Sequence, residues 1–152
     1  MQRVFLGGTA NGSTWRDDII PLLDNAEVSY FNPIVDGEWT EADKERELSE
    51  RDRCDFCLYT ITPKMVGVYS IAEVVDDSVK RPKKVILTVL QKDGENEFND
   101  AQWSSLESVG KLVEKNGGYF CTSLEAAVLF MYQSTGVALE DLDPSWPWKN
   151  SY

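Results

Sequence analysis

No histidine occurs among the 152 residues, so Ser-His-Asp and Cys-His mechanisms are closed to this chain. Acid–base and nucleophilic work falls to carboxylates, tyrosines, lysines or cysteines. Acids crowd one stretch: Glu41, Asp43, Glu45, Glu47, Glu50, Asp52 and Asp55, then Glu73, Asp76 and Asp77. Most belong on solvated helix faces. Asp55 differs, because it stands inside the apolar run Cys54–Ile61, where an unpaired carboxylate is costly to bury. Glu73 lies in a helical stretch, Val68–Val79. At 3.6 residues per turn, Val68, Ile71, Ala72, Val75 and Val79 form its packed stripe. Glu73 falls off that stripe, beside Tyr69 and Asp77, and periodicity leaves open whether it faces a cleft or bulk water.

A second candidate is the turn Gly7-Gly-Thr-Ala-Asn-Gly-Ser13. Glycine permits positive φ and close backbone approach, and a helix start offers unpaired N–H groups to an anion or hydroxyl. The turn is neither G-x-G-x-x-G nor a P-loop, since no Gly-Lys-Ser/Thr follows. Gly7, Gly8, Thr9, Asn11 and Ser13 are its candidate ligand-binding residues. Cys54 and Cys57 form a C-x-x-C, but without a second pair or any histidine a four-ligand zinc site lacks ligands. With Cys121 they read as buried free thiols of a reducing cytosol.

These groups must be positioned by regular elements. Arg3–Leu6 reads as a buried strand entering the glycine turn. Ser13 or Thr14 caps a helix through about Leu23, with Ile19, Ile20, Leu22 and Leu23 on its buried side. Glu27–Phe31 is strand two, and Asn32-Pro33 closes it. Thr40 with Asp43 resembles a capping box and starts a charged, largely solvated helix, Glu41–Arg53. Cys54–Ile61 is strand three, and Val68–Val79 the next helix. Lys84–Val89 is strand four, and 93–99 a polar loop. Ala101–Lys115 is an amphipathic helix stopped by Asn116-Gly117-Gly118. Tyr119–Cys121 is strand five, and Ser123–Thr135 carries Leu124, Ala127, Val128 and Met131 inward.

Strands alternating with helices imply crossovers, hence an α/β single domain with a five-stranded, parallel, doubly wound sheet of the flavodoxin-like type. Ligands of such sheets bind beyond the carboxyl ends of the strands, at a switch in strand order. The domain is expected over 1–135. The tail 136–152, with Trp146, Trp148 and Tyr152, is expected to dock on the domain or a neighbour. A net charge of −11 argues against a nucleic-acid polymer as partner. No apolar stretch spans a membrane. The chain opens on a strand with no leader, so a cytoplasmic location is expected.

Taken in order, Val4-Phe-Leu-Gly-Gly-Thr9, Trp15-Arg-Asp-Asp18, Tyr30-Phe-Asn-Pro33, the run Cys54–Pro63 and Gly67-Val-Tyr-Ser-Ile-Ala-Glu73 resemble the nucleoside 2-deoxyribosyltransferase family, in particular its phage and bacterial branch. The resemblance spans about residues 3–131. It implies that Glu73 attacks C1′ of a nucleoside or nucleotide to give a glycosyl-enzyme ester, and that a second base or water then takes the sugar. The family's second acid, eight positions before the Asp of strand three, falls on Glu47. Tyr69 would position Glu73 or touch the sugar. Phe5, the glycine turn and Asp55 would line the ligand, while Asn116 and the carboxylate of Tyr152 would serve a neighbouring subunit's site. A homo-oligomer is therefore implied, and carboxylate chemistry implies no metal or organic cofactor.

Two positions depart from the family pattern. Gly67 stands where an Asp often precedes the nucleophile, and Phe5 stands where a tyrosine orients it. Both favour an alternative in which the same cleft binds a nucleotide-like ligand, as sponge or sensor, without turning it over.

Overall fold

Val4, Phe5 and Leu6 are all almost fully shielded from water, as in a strand covered on both faces. In the computed structural model, which describes residues 1–10 and 12–136, this run forms β1, Arg3–Gly8. The order continues with α1 (Trp15–Asn25), β2 (Ser29–Phe31), α2 (Glu41–Arg53), β3 (Phe56–Ile61) and α3 (Tyr69–Lys80). A 3-10 turn, Pro82–Lys84, leads into β4 (Val85–Val89). A small hairpin follows, β5 (Lys92–Asp93) and β6 (Asn96–Glu97), then α4 (Asp100–Lys115), β7 (Tyr119–Cys121) and α5 (Leu124–Gln133). The main sheet runs β2-β1-β3-β4-β7 with every pair parallel. This is the expected flavodoxin-like, doubly wound domain, with its order switching between β1 and β3.

Alternation along the strands divides the core. Val4, Leu6, Phe56, Leu58 and Ile86 point at α1 and α5, where they meet Trp15, Ile19, Leu23, Ala127, Val128 and Met131. Phe5, Cys57, Tyr59, Val85 and Leu87 point the other way, toward α3 and α4. The capping box at Thr40 and Asp43 is formed, and α2 spans the expected residues. At the end of α4, Gly117 takes φ +103, while Gly118 N and Gly117 N donate to the carbonyls of Val113 and Glu114. This Schellman closure is open to glycine because the left-handed residue bears no Cβ.

The structure corrects several expectations. Strand two begins at Ser29, because Glu27 takes φ 56 and turns the chain. Strand three begins at Phe56, so Asp55 lies before it and not within it. Its carboxylate is exposed, and Oδ2 accepts from Arg3 N at 2.8 Å. The polar loop at 93–99 contains the antiparallel β5–β6 hairpin.

The largest correction concerns α3. The two ends of its apolar stripe face outward, Val68 66% exposed and Val79 67%, while Ile71 and Val75 are half-buried against the core. The inward face carries Val74, Asp77 and Ser78, all buried. The guanidiniums of Arg51 and Arg81 and the hydroxyl of Tyr59, which meet the α3 carboxylates Glu73 and Asp77, account for this polar inward face.

Cys54, Cys57 and Cys121 are free and buried, and burial pushes the Cys57 thiol up to about 12. Among the described residues no helix is long and apolar enough to cross a membrane. Asn11 and residues 137–152, with Trp146, Trp148 and Tyr152, lie outside the described residues.

Candidate active site

The carboxyl end of β1 is built for close approach. Gly8 takes φ +111, and a Cβ there would stand 2.1 Å from the Thr60 carbonyl oxygen of the adjacent strand. Thr9 N donates to that same carbonyl at 2.8 Å, and Thr9 Oγ1 accepts from Thr62 N at 3.0 Å. Arg16, in the first turn of α1, folds back over the strand end. Its Nε and Nη2 donate to the Leu6 carbonyl, at 3.1 and 2.9 Å, and Nη1 to that of Thr9 at 2.7 Å. Its guanidinium also lies 4.4 Å from the centre of the Trp15 ring. A buried cation thus satisfies carbonyls that the strand leaves unpaired.

The far end of the glycine turn is stapled to the hairpin. Asp93 Oδ2 accepts from Ser13 Oγ at 2.5 Å and Thr62 Oγ1 at 2.6 Å, while Lys64 Nζ lies 3.7 Å from Oδ1 and donates to the Gly12 carbonyl. Burial would raise this carboxyl, but the two hydroxyls and the ammonium outweigh it and hold it below the usual range.

At the carboxyl end of β1 lies a cleft of about 340 Å³, a usual size for a small-ligand site. Phe5, Gly7, Gly8 and Tyr59 form its floor. Pro33, Ile34, Val35 and Trp39, from the β2–α2 loop, form an apolar lip. Glu47 of α2 and Glu73 and Ser70 of α3 form the remaining wall. An adjoining concavity beneath the α3 start is lined by Thr9, Tyr69 and again Glu73. Phe5 stacks on Phe31, with ring centres 5.9 Å apart.

Both carboxyls of the cleft are perturbed. Burial pushes Glu47 up, against the opposing charges of Arg51 and Arg16. Burial also pushes Glu73 up; Arg51 opposes this, while Glu47 and Asp77 add to it. Glu73 Oε2 accepts from Arg51 Nη1 at 3.1 Å, and Arg51 Nη2 donates to Asp77 Oδ2 at 2.9 Å. Tyr59 Oη donates to the same Asp77 oxygen in a short hydrogen bond, and Arg81 Nε lies 3.2 Å from Oδ1. These partners turn the polar side of α3 inward. One buried ionic cluster takes the place that an apolar stripe would fill, and its charges are mutually compensated.

Residues 1–92 match the family described as "Nucleoside 2-deoxyribosyltransferase like". The chain belongs to this family. A comparison with curated proteins finds no match. The matched segment contains every residue of the cleft wall and floor, whereas α4, β7 and α5 lie beyond it.

The cleft of this family member gathers only part of the expected set. Phe5, Gly7, Gly8, Glu47 and Glu73 line it, with Thr9 and Tyr69 at the adjoining concavity. Ser13 turns its hydroxyl to Asp93, serving the turn and not the cavity. Asp55 lies at the opposite, amino end of the sheet. So does Asn116, which follows α4 and donates through Nδ2 to Ser78 Oγ at 3.0 Å. Neither reaches this chain's cleft.

Arg16, Arg51 and Tyr59 received no role from the sequence pattern, and Asp77 stood there only as a neighbour of Glu73. One signal was present: Glu47 and Arg51 stand four residues apart on one helix, as do Glu73 and Asp77 on another, so each pair shares a face.

Proposed function

We propose that the cleft binds a neutral 2-deoxynucleoside and cleaves its N-glycosidic bond through a glycosyl ester on Glu73. A Glu73 oxygen forms a bond to C1′ as the C1′–N bond breaks, and its electron pair leaves with the base. Glu47, in its acid form, supplies the proton that the departing base needs. An acceptor base or water then attacks C1′, returns its proton to Glu47 and frees Glu73. The observation that carries this reading is the pair itself. Two half-buried carboxyls from different helices line one cleft, and only Glu73 is hydrogen-bonded to a cation among the described residues. That difference favours an ionised Glu73 beside a proton-bearing Glu47.

Charge supports a nucleoside over a nucleotide. Arg16 is committed to carbonyls, Arg51 to Glu73 and Asp77, and Lys64 to Asp93 and Gly12. A 5′-phosphate would meet carboxylates without a spare cation from these residues. The lip of Ile34, Val35 and Trp39 offers an apolar surface for the base.

The test is incubation with a panel of deoxynucleosides and their 5′-monophosphates, with and without an acceptor base, followed by chromatography. Cleavage of nucleosides that Glu73→Gln abolishes is the expected result. Intact nucleosides in every arm would overturn the proposal. Phe5, which brings a ring without a hydroxyl to the cleft floor, favours the second reading, a non-catalytic binder. Stoichiometric retention of an intact ligand would support it.

The implied homo-oligomer has a natural seat in the outward stripe of α3. Two copies of a chain of net charge −11 repel unless the contact is free of unpaired acid. Here Val68, Ile71, Ala72, Val75 and Val79 are joined by one acid, Asp76, already paired with Lys80 at 2.8 Å. Such a face suits an isologous contact with a second copy. Sedimentation should give a dimer that Val75→Asp converts to monomer; a monomeric parent chain would overturn this assignment.

A further inference from the structure

The proposal above leaves unexplained why a nucleophile should be tied to an arginine, and what holds that arginine. Arg51 reaches Glu73 from the last turn of α2 with a side chain only 12% exposed. It cannot follow Glu73 freely. Its second nitrogen is fixed on Asp77, whose own carboxylate is held by Tyr59 and flanked by Arg81. Tyr59 is 1% exposed and pairs in register with Gly7 on the cleft floor. The chain of contacts therefore runs from the central sheet, through Asp77 and Arg51, to one oxygen of Glu73.

We propose that Arg51 is a positioning residue, braced by Asp77 and Tyr59, which pins Glu73 Oε2 and presents Oε1 to the sugar. This rests on the reading of Glu73 as nucleophile. Three consequences follow from the geometry. The pinned carboxylate loses rotational freedom before the substrate arrives, which lowers the barrier that ordering would otherwise add. The guanidinium favours the ionised form of Glu73 against burial and against the neighbouring carboxyls of Glu47 on α2 and Asp77 on its own helix. The same positive charge tempers Glu73 as a nucleophile and improves it as a leaving group, so the second step, release of the sugar, gains what the first gives up.

The test is a carboxyl titration by carbon-13 NMR on the full chain labelled at glutamate, with the Glu73 signal assigned through Glu73→Gln. Arg51→Gln should raise the Glu73 midpoint by about one pH unit or more. Tyr59→Phe, which removes one hydroxyl and keeps the ring in the core, should raise it by less. Arg51→Lys restores charge but not the two-pronged reach, so it should return the midpoint toward the parent while kcat stays low. Asp24→Asn, exposed near the end of α1, should leave the midpoint in place.

A midpoint unchanged in Tyr59→Phe and in folded Arg51→Gln would overturn the proposal. So would full recovery of kcat in Arg51→Lys. The titration needs no turnover, which separates the two failures. If the midpoint moves but the parent chain cleaves no nucleoside, the proposed function fails and the pinning of Glu73 stands. If nucleosides are cleaved and the midpoint stays, only the positioning role falls.

Discussion

The two faces of the sheet are built from different chemistry. Toward α1 and α5, the strands present Val4, Leu6, Phe56, Leu58 and Ile86 to an apolar layer. Toward α2 and α3, the same strands present Phe5, Cys57 and Tyr59 to a layer that also contains Arg51, Asp77 and Glu73. Burying apolar area is the main source of stability, whereas buried ion pairs roughly break even once desolvation is counted. Both faces therefore bury apolar area, and the second also holds charges where they can act. Because both faces share β1 and β3, the second inherits rigidity from the first.

Substitutions should separate these roles. Glu73→Gln, on the charged face, is expected to lower nucleoside turnover by at least about 1,000-fold, with no fall in thermal unfolding temperature. Leu58→Ala, fully buried on the apolar face, is expected to cost about 3 kcal/mol in urea unfolding while leaving KM near the parent value. If Leu58→Ala instead removed activity from protein that remains folded, the two faces would not be separable.

Asp93→Asn probes the staple between the glycine turn and the hairpin. Its native carboxyl sits below the ordinary value, so it stabilises the fold above the unfolded value and loses this as pH falls through the folded one. The expected loss at pH 7 is about 2 kcal/mol, and it should shrink below pH 3.8, the reference value for the free carboxyl. A loss independent of pH would point to packing alone.

The smallest effect belongs to Glu47→Gln. Its native carboxyl sits above the ordinary value, so the charge-free variant should be slightly more stable at pH 7. The gain should vanish below pH 4.5, the reference value for the free carboxyl. Melting curves at both pH values read this directly.

Sequence made the apolar face legible, and the charged face much less so. The Arg3–Leu6 run, the Thr40–Asp43 box and the Gly117-Gly118 stop act through neighbours in the chain, so local chemistry suffices to find them. Leu124, Ala127, Val128 and Met131 turn inward as their spacing requires. For α3, spacing correctly groups Val68, Ile71, Ala72, Val75 and Val79 but does not say which way the group faces. That direction depends on Arg51 and Tyr59, which lie in other elements, and on Arg81 just past the end of α3. Asp55 misled for a related reason: an apolar run shows that a strand is near, not where its ladder begins.

The staple at Asp93 carries one more consequence. The family match ends at Lys92, one residue short of the carboxylate that ties down Ser13 from 80 positions away. A graft that transplanted only the matched segment would carry every cleft carboxylate and leave the ligand-side turn untethered. Insertions in the small hairpin, by contrast, would shift that turn without touching a single residue that lines the cleft.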